Sequence, residues 1–221
     1  MKRKIVKTAD GSSTISVPEL NEHYHSVNGA IAEANHVYIN AGYKNVEKDK
    51  ISILEIGFGT GLNSLLTLIQ SVDDRKEIFY QGVEAYPVSL EELSALNYLE
   101  ELKADEYEEK YKLMHTSPWD EKVEIAENFV LLKQKKSFTE IEDIEKFDLI
   151  YFDAFGPDVQ PDLWTEDIFK KMYDSLKPNG ILVTYSSKGI VKRALRSVGF
   201  TVKRLDGPKG KRHMLRASNL S

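Results

Sequence analysis

The 221-residue chain contains no cysteine, which excludes disulfides, thiolate zinc sites and cysteine nucleophiles together. It has no apolar stretch approaching the ~20 residues of a membrane span. Its first residues, Met1-Lys2-Arg3-Lys4, lack the apolar region of a signal peptide, so the protein is expected in the cytosol with no membrane partner. Five histidines are present, and none forms a helically spaced ligand pair with an acid, so no metal site is expected. Internal repeats, heptad runs and low-complexity tracts are missing as well. What remains is a globular composition, 41% hydrophobic and 29% charged, long enough for a substantial core.

Charge is spread unevenly. The net charge is −5, yet from Ser186 to Ser221 there are ten Lys or Arg against the single acid Asp206. That segment carries +9 and leaves −14 for residues 1–185. An acidic body with a basic C-terminal edge suits local docking of a polyanion better than general affinity for one. Lys188, Arg193, Arg196, Lys209, Lys211 and Arg212 are the phosphate candidates.

The most informative segment is Leu54-Glu55-Ile56-Gly57-Phe58-Gly59-Thr60-Gly61-Leu62-Asn63. A β-branched stretch precedes it and an apolar helical run, Leu65 to Ile69, follows, giving strand, glycine turn and helix in nucleotide-binding order. In a dinucleotide fingerprint the third glycine would fall at Leu62, which disfavours a nicotinamide enzyme. The observed E-x-G-x-G-x-G spacing resembles the S-adenosylmethionine turn of Rossmann-like methyltransferases. Glu55, Gly57, Gly59, Gly61 and Asn63 are therefore cofactor candidates, with Glu55 placed to accept from an ammonium group. The next apolar run, Glu77 to Val83, closes on Glu84, where a strand-end acid reaches both hydroxyls of a ribose.

Alternation of strands and helices continues to the C-terminus. Residues 1–18 read as a hairpin turned at Asp10-Gly11, followed by a helix-prone stretch to Gly42. A helix is expected through Leu90, Leu93, Leu96 and Leu99, and a polar, partly helical stretch over 104–128. Strands follow at Phe129–Leu132, Phe147–Phe152 and Ile181–Tyr185, with helices at Ser137–Ile144, Thr165–Leu176 and Lys188–Val198. Phe200–Lys203 and Lys211–Ala217 form a closing antiparallel pair. The fold class is α/β: a Rossmann-like methyltransferase sheet of seven mostly parallel strands with a final antiparallel strand and an N-terminal β-hairpin extension. Residues 1–50 are the extension and 51–221 the methyltransferase domain, in one globular unit.

The fourth strand ends at Asp153, held on the stiff loop Asp153-Ala154-Phe155-Gly156-Pro157. Glu55, Glu84 and Asp153 thus fall together at the carboxyl ends of strands, where open α/β sheets bind ligands. With Pro161-Asp162-Leu163-Trp164-Thr165, this block resembles the D-x-F-x-P…P-x-x-W-T signature of MnmC-type tRNA wobble-uridine methyltransferases. Tyr24-His25-Ser26, Gly199-Phe200 and Lys211 to Leu215 match as well, so the resemblance runs over nearly the whole chain from about Asp10.

The resemblance implies methyl transfer from S-adenosyl-L-methionine to the exocyclic amine of 5-aminomethyl-(2-thio)uridine in tRNA. Many members carry a fused flavin oxidase that uncovers this amine; here a separate enzyme is expected to supply it. One departure is the segment Lys133-Gln134-Lys135-Lys136, where members often carry an acid near the adenine, so backbone around Ser137-Phe138 is expected to serve instead. A primary amine of pKa ~10.4 is neutral in roughly one molecule in a few thousand at pH 7, a cost of about 4–5 kcal/mol. An aspartate of pKa ~3.9 is too weak a base to remove that proton efficiently, so Asp153 is expected to accept from the amine and aim its lone pair. Tyr24, His25 and Phe155 are candidates for the uridine pocket, while Trp164 is expected to anchor the following helix. Two other readings stay open: a small-molecule or protein amine as acceptor, and a binding module without turnover.

Overall fold

Turn chemistry and hairpin pairing build the N-terminal extension. In the computed structural model, which describes residues 2–220, Lys4–Lys7 (β1) and Ser13–Val17 (β2) pair antiparallel across the Asp10-Gly11 turn. Glu22–His23 (β3) adds a short third strand. The turn acid does more than turn the chain. Asp10 accepts from Thr8 and Ser12 through one oxygen, and from the backbone of Ala32 at 2.9 Å through the other. It thereby fixes the start of helix α1, Ala30–Ala34, which continues as a π-helical turn over Asn35–Asn40.

The main sheet follows from buried apolar runs bounded by glycine, asparagine and acids. Its elements are β4 (Lys50–Ile56), α2 (Leu62–Asp73), β5 (Glu77–Val83), α3 (Leu90–Ser94), α4 (Tyr98–Leu102) and α5 (Glu108–Thr116). There follow β6 (Lys122–Ala126), β7 (Phe129–Gln134), β8 (Phe147–Phe152) and α6 (Glu166–Ser175). β9 (Leu176–Thr184), α7 (Gly189–Ser197), β10 (Thr201–Asp206) and β11 (His213–Ser218) complete it. The strand order is β10-β11-β9-β8-β4-β5-β7-β6, with β7, β5, β4, β8 and β9 parallel. Successive residues of β4 point to opposite faces. Ile51 and Ile53 join a core shared with Tyr38, Leu65 and Tyr151, while Leu54 and Ile56 pack with Phe152, Trp164 and Phe169. Both faces are covered, which is why these strands read as continuous apolar runs.

All seven expected strands are present, and β6 adds an eighth at the edge, antiparallel to β7. Its sequence, Lys-Val-Glu-Ile-Ala, buries Ile125 and presents charges outward, as edge strands do. Two helices differ from expectation. The Leu90–Leu99 helix breaks into α3 and α4 beside Asn97, whose side chain accepts from Ser13 N at 2.7 Å and donates to Gly11 O at 3.0 Å. The Ser137–Ile144 helix is only a 3-10 turn over Phe138–Glu140, after which Ile141 is buried and Asp143 turns to Lys146 and Gln81. Among the described residues no helix is long and apolar enough to cross a membrane.

Candidate active site

Strand order reverses between β4 and β8, so the loops leaving their carboxyl ends diverge and open a crevice. The two strand ends are tied together, with Asp153 N donating to Ile56 O at 2.9 Å. Gly57 turns there with φ +87°, and a Cβ on it would lie 2.6 Å from the Asp153 carbonyl. Only glycine fits both the angle and the space. Gly59 has φ +49° and lies under Tyr24, 3.1 Å from where its own Cβ would be; its N–H donates to Glu84 Oε2 at 3.0 Å. The other Glu84 oxygen accepts from Tyr86 N at 2.8 Å. The strand-end acid is therefore held rigidly by two backbone amides, and each oxygen retains a lone pair for a hydroxyl.

Three side chains meet at the centre of the crevice. The Asn63 amide donates to Glu55 Oε1 and to Asp153 Oδ2, each at 2.8 Å, and Tyr80 donates to Glu55 Oε2 at 2.8 Å. Asn63 Oδ1 is buried without a partner. Burial, reinforced by the nearby Asp153 carboxylate, pushes Glu55 well above the usual carboxylate range. Burial likewise raises Asp153 to about 7, against the opposing influence of Tyr38 and Asn63. Tyr38 comes from the π-helical turn, and its hydroxyl lies beside Asp153 without meeting hydrogen-bond geometry. The premise that Asp153 is an ordinary aspartate of pKa ~3.9 is thus corrected: desolvation makes it a much stronger proton acceptor.

A cavity of about 610 Å³ opens over this centre. Of the sequence candidates, Tyr24, His25, Glu55, Gly57, Gly59, Asn63, Glu84, Asp153, Phe155 and Lys211 line it. Gly61 does not; with φ +70° it starts α2 and supports the turn from behind, facing His115. Lys188, Arg193 and Arg212 also lie outside the cavity, because α7 and the β10–β11 loop carry them on the outer surface. Lys188 pairs with Asp158 of the loop after Asp153. Lys211 turns inward, pairing with Glu33 and lying 4.0 Å from the Tyr185 ring centroid. Burial holds His25 near 4, so it is neutral at physiological pH and packs edge-on to Tyr98. Trp164 is buried, its indole donating to Phe155 O at 2.8 Å, so it braces the loop after Asp153 as well as the helix.

Arg3, Glu33 and Tyr185 line the cavity and were not among the sequence candidates. Tyr185 follows a strand end, and the same rule that found Glu84 applies to it. No local signal marks the other two. Lys133 is buried beneath the His115 carbonyl and over the Trp119 ring, away from the main cavity, and the β7 side is lined by Ser137 and Phe138.

These residues fit S-adenosylmethionine, a ligand of net positive charge. The two glycines let a ligand approach the backbone, Glu84 presents oxygens for a ribose, and the pair of buried Glu55 and partly buried Asp153 has no cation bonded to it among the described residues. A strand–turn–helix cleft with acids at the β4, β5 and β8 ends is that of a Rossmann-like methyltransferase. The chain belongs to the family of S-adenosyl-L-methionine-dependent methyltransferases, whose model matches residues 94–220. It is 30% identical over 218 residues to the tRNA 5-methylaminomethyl-2-thiouridine biosynthesis bifunctional protein MnmC of Burkholderia multivorans, covering 91% of this chain and 33% of that protein. The protein of the same name from Campylobacter fetus is also 30% identical, with 90% of this chain and 33% of that one covered. The chain spans about a third of the length of these curated relatives. Among solved structures, MNMC2 from Aquifex aeolicus matches with a TM-score of 0.79 at 28% identity, covering 100% of this chain and 71% of that one. Spermidine synthase from Thermotoga maritima shares the fold, at a TM-score of 0.60 and 13% identity, over 99% of this chain and 69% of that one. The resemblance to MnmC-type proteins expected from the Asp153 block is borne out.

The raised acids have a measurable consequence. A bound cation favours their ionised forms, so S-adenosylmethionine binding at pH 7 releases protons from this pair of acids. S-adenosylhomocysteine lacks the sulfonium charge and releases fewer. Calorimetric titration in buffers of different ionisation enthalpy measures both; equal release by the two ligands would contradict the electrostatic reading.

Proposed function

We propose that this protein methylates the exocyclic amine of 5-aminomethyl-(2-thio)uridine at the tRNA wobble position, in the cytosol, with the acceptor amine supplied by a separate catalytic activity. The observation that carries the reading is Asp153. It is a partly buried acid without a bonded cation, raised to about 7, at the floor of a cavity whose wall includes Tyr24 and Phe155. Such a site attracts a cationic amine attached to a flat ring. The names of the MnmC relatives supply the nucleoside to which that description applies.

When bound, S-adenosylmethionine supplies a methyl group on a sulfonium. Asp153 accepts an N–H of the amine, aims its lone pair and stabilises the positive charge that develops on nitrogen. Asn63 holds Asp153 and Glu55 in one orientation through its two hydrogen bonds. Moving a proton from an ammonium of pKa ~10.4 to a group near 7 is uphill by about 5 kcal/mol, against about 9 for an ordinary aspartate. The two cations lower Asp153 again once bound, so its role remains that of an acceptor and water takes the proton. Glu84 is assigned the ribose, and Phe155 and Tyr24 the face and edge of the uracil. Arg193, Arg196, Lys209 and Arg212 lie exposed on one C-terminal segment, where they serve as phosphate contacts.

The test is methylation of tRNA carrying aminomethyluridine, read by mass spectrometry of the wobble nucleoside, with tRNA affinity measured against salt. One added methyl on that nucleoside and affinity that falls steeply with salt are expected. Methylation of a free small amine with equal efficiency would replace this reading with a small-molecule acceptor.

A further inference from the structure

Arg3 belongs to no motif in the chain, yet its side chain is only 14% exposed and reaches the cavity. One guanidinium nitrogen donates to Tyr86 O at 2.9 Å; the other donates to Pro87 O at 3.3 Å and Glu92 Oε2 at 3.2 Å. These partners lie in the segment that leaves Glu84, whose carboxylate is itself held by Tyr86 N. The carbon of the same guanidinium lies over the Tyr24 ring, 5.5 Å from its centroid. Tyr24 meets Phe155 edge-on, with centroids 5.2 Å apart, and Phe155 is two residues past Asp153. Tyr24 also covers Gly59 of the cofactor turn.

We propose that Arg3 is a positioning residue for methyl transfer, clasping the donor wall of the cavity (Glu84 to Pro87) to the acceptor wall (Tyr24 and Phe155). The assignment of the two walls rests on the function proposed above. A planar guanidinium can donate within its plane to several carbonyl and carboxylate oxygens while its face stacks on an aromatic ring. A lysine ammonium cannot do both. A cofactor held by Glu84 therefore braces the residue 85–87 segment, that segment braces Arg3, Arg3 braces Tyr24, and Tyr24 braces the wall the uracil meets. Donor and acceptor sites are coupled through one side chain, and by linkage each ligand tightens the other by the same factor.

The hairpin itself does not hang on Arg3. β1 and β2 pair over four residues, and Asn97 and Asp10 hold the turn to the rest of the molecule. Arg3→Ala is therefore expected to fold, which thermal melting checks, and Arg3→Lys separates charge from geometry. The first readout uses the full chain and S-adenosylhomocysteine alone. Its dissociation rate, followed by stopped flow, rises about tenfold in Arg3→Ala, as expected for loss of a partly desolvated cation–π contact, and is not restored in Arg3→Lys. The second is coupling: S-adenosylhomocysteine tightens binding of aminomethyluridine tRNA about fivefold in the native protein and leaves it unchanged in Arg3→Ala. Native-like dissociation in Arg3→Ala, coupling that survives the substitution, or full rescue by lysine overturns the clasp. If tRNA does not bind the native protein, the proposed acceptor is wrong, and the dissociation rate alone decides on Arg3. Failure of S-adenosylhomocysteine to bind overturns the clasp outright.

Discussion

Asp153→Asn lowers the rate of methyl transfer by about 10²–10³-fold while S-adenosylhomocysteine affinity stays within roughly threefold of native. The amide occupies the same space and can still accept the Asn63 hydrogen bond through its oxygen, so the β4–β8 junction, built from backbone, is preserved. In the proposed reaction it has lost the negative charge facing a nitrogen that becomes cationic during transfer. Asp153 sits at the floor of the cleft, partly removed from water, where its charge acts at a lower effective dielectric than that of a surface carboxylate. Single-turnover measurement at saturating cofactor and tRNA isolates the chemical step from binding. A variant that turns over at the native rate would leave Asp153 a structural acid, and a variant that loses cofactor affinity in proportion would move it to the donor site.

The placement of Asp153 was legible because strands in this sheet are punctuated. An apolar run buried on both faces ends at an acid or glycine, and the parallel order carries every such end to one edge. Glu84 follows from the same reasoning, whereas Glu55 and Gly57 follow from the E-x-G-x-G-x-G spacing. Its proton affinity was not legible, since that depends on what surrounds the carboxylate in three dimensions. Strand β6 escaped because an edge strand buries only one face, and its outward charges read as polar connection. The helix expected over Ser137–Ile144 began correctly, with a Ser137–Glu140 capping box, and was ended by contacts made through Asp143 to distant Gln81. Arg3 and Glu33 were invisible for a related reason. The hydrogen-bond partners of Arg3 lie 83–89 residues away and the Lys211 partner of Glu33 lies 178 away, beyond the reach of any spacing rule. Counting charge found the basic C-terminal segment but gave no direction to its side chains, so Lys211 turned inward and Lys188, Arg193 and Arg212 outward.

The same Asp153→Asn substitution raises the thermal stability of the ligand-free protein at pH 8. Burial lifts the folded-state pKa from its ordinary value of 3.8 to about 7, so the folded protein binds this proton more tightly than the unfolded chain. Stability therefore falls as pH rises from about 4 to about 7, and the full penalty is present above that. The shift corresponds to about 2–4 kcal/mol once water in the cavity is allowed for, or a gain of roughly 5–15 °C in Tm on removing the charge. Glu55 adds to the effect, because a neutral neighbour no longer opposes its ionisation. Melting curves at pH 4 and pH 8 test the account: the advantage of the variant belongs at pH 8 and vanishes near pH 4, where the native carboxyl is protonated in the fold. An advantage of equal size at both values would trace to packing instead, and no advantage at pH 8 would mean the carboxylate is already compensated without ligand. The expected combination, slower transfer with a more stable fold, is that of a charge held unsatisfied for a cationic ligand. The energy withheld from the folded state becomes available when a sulfonium and an amine enter the cavity.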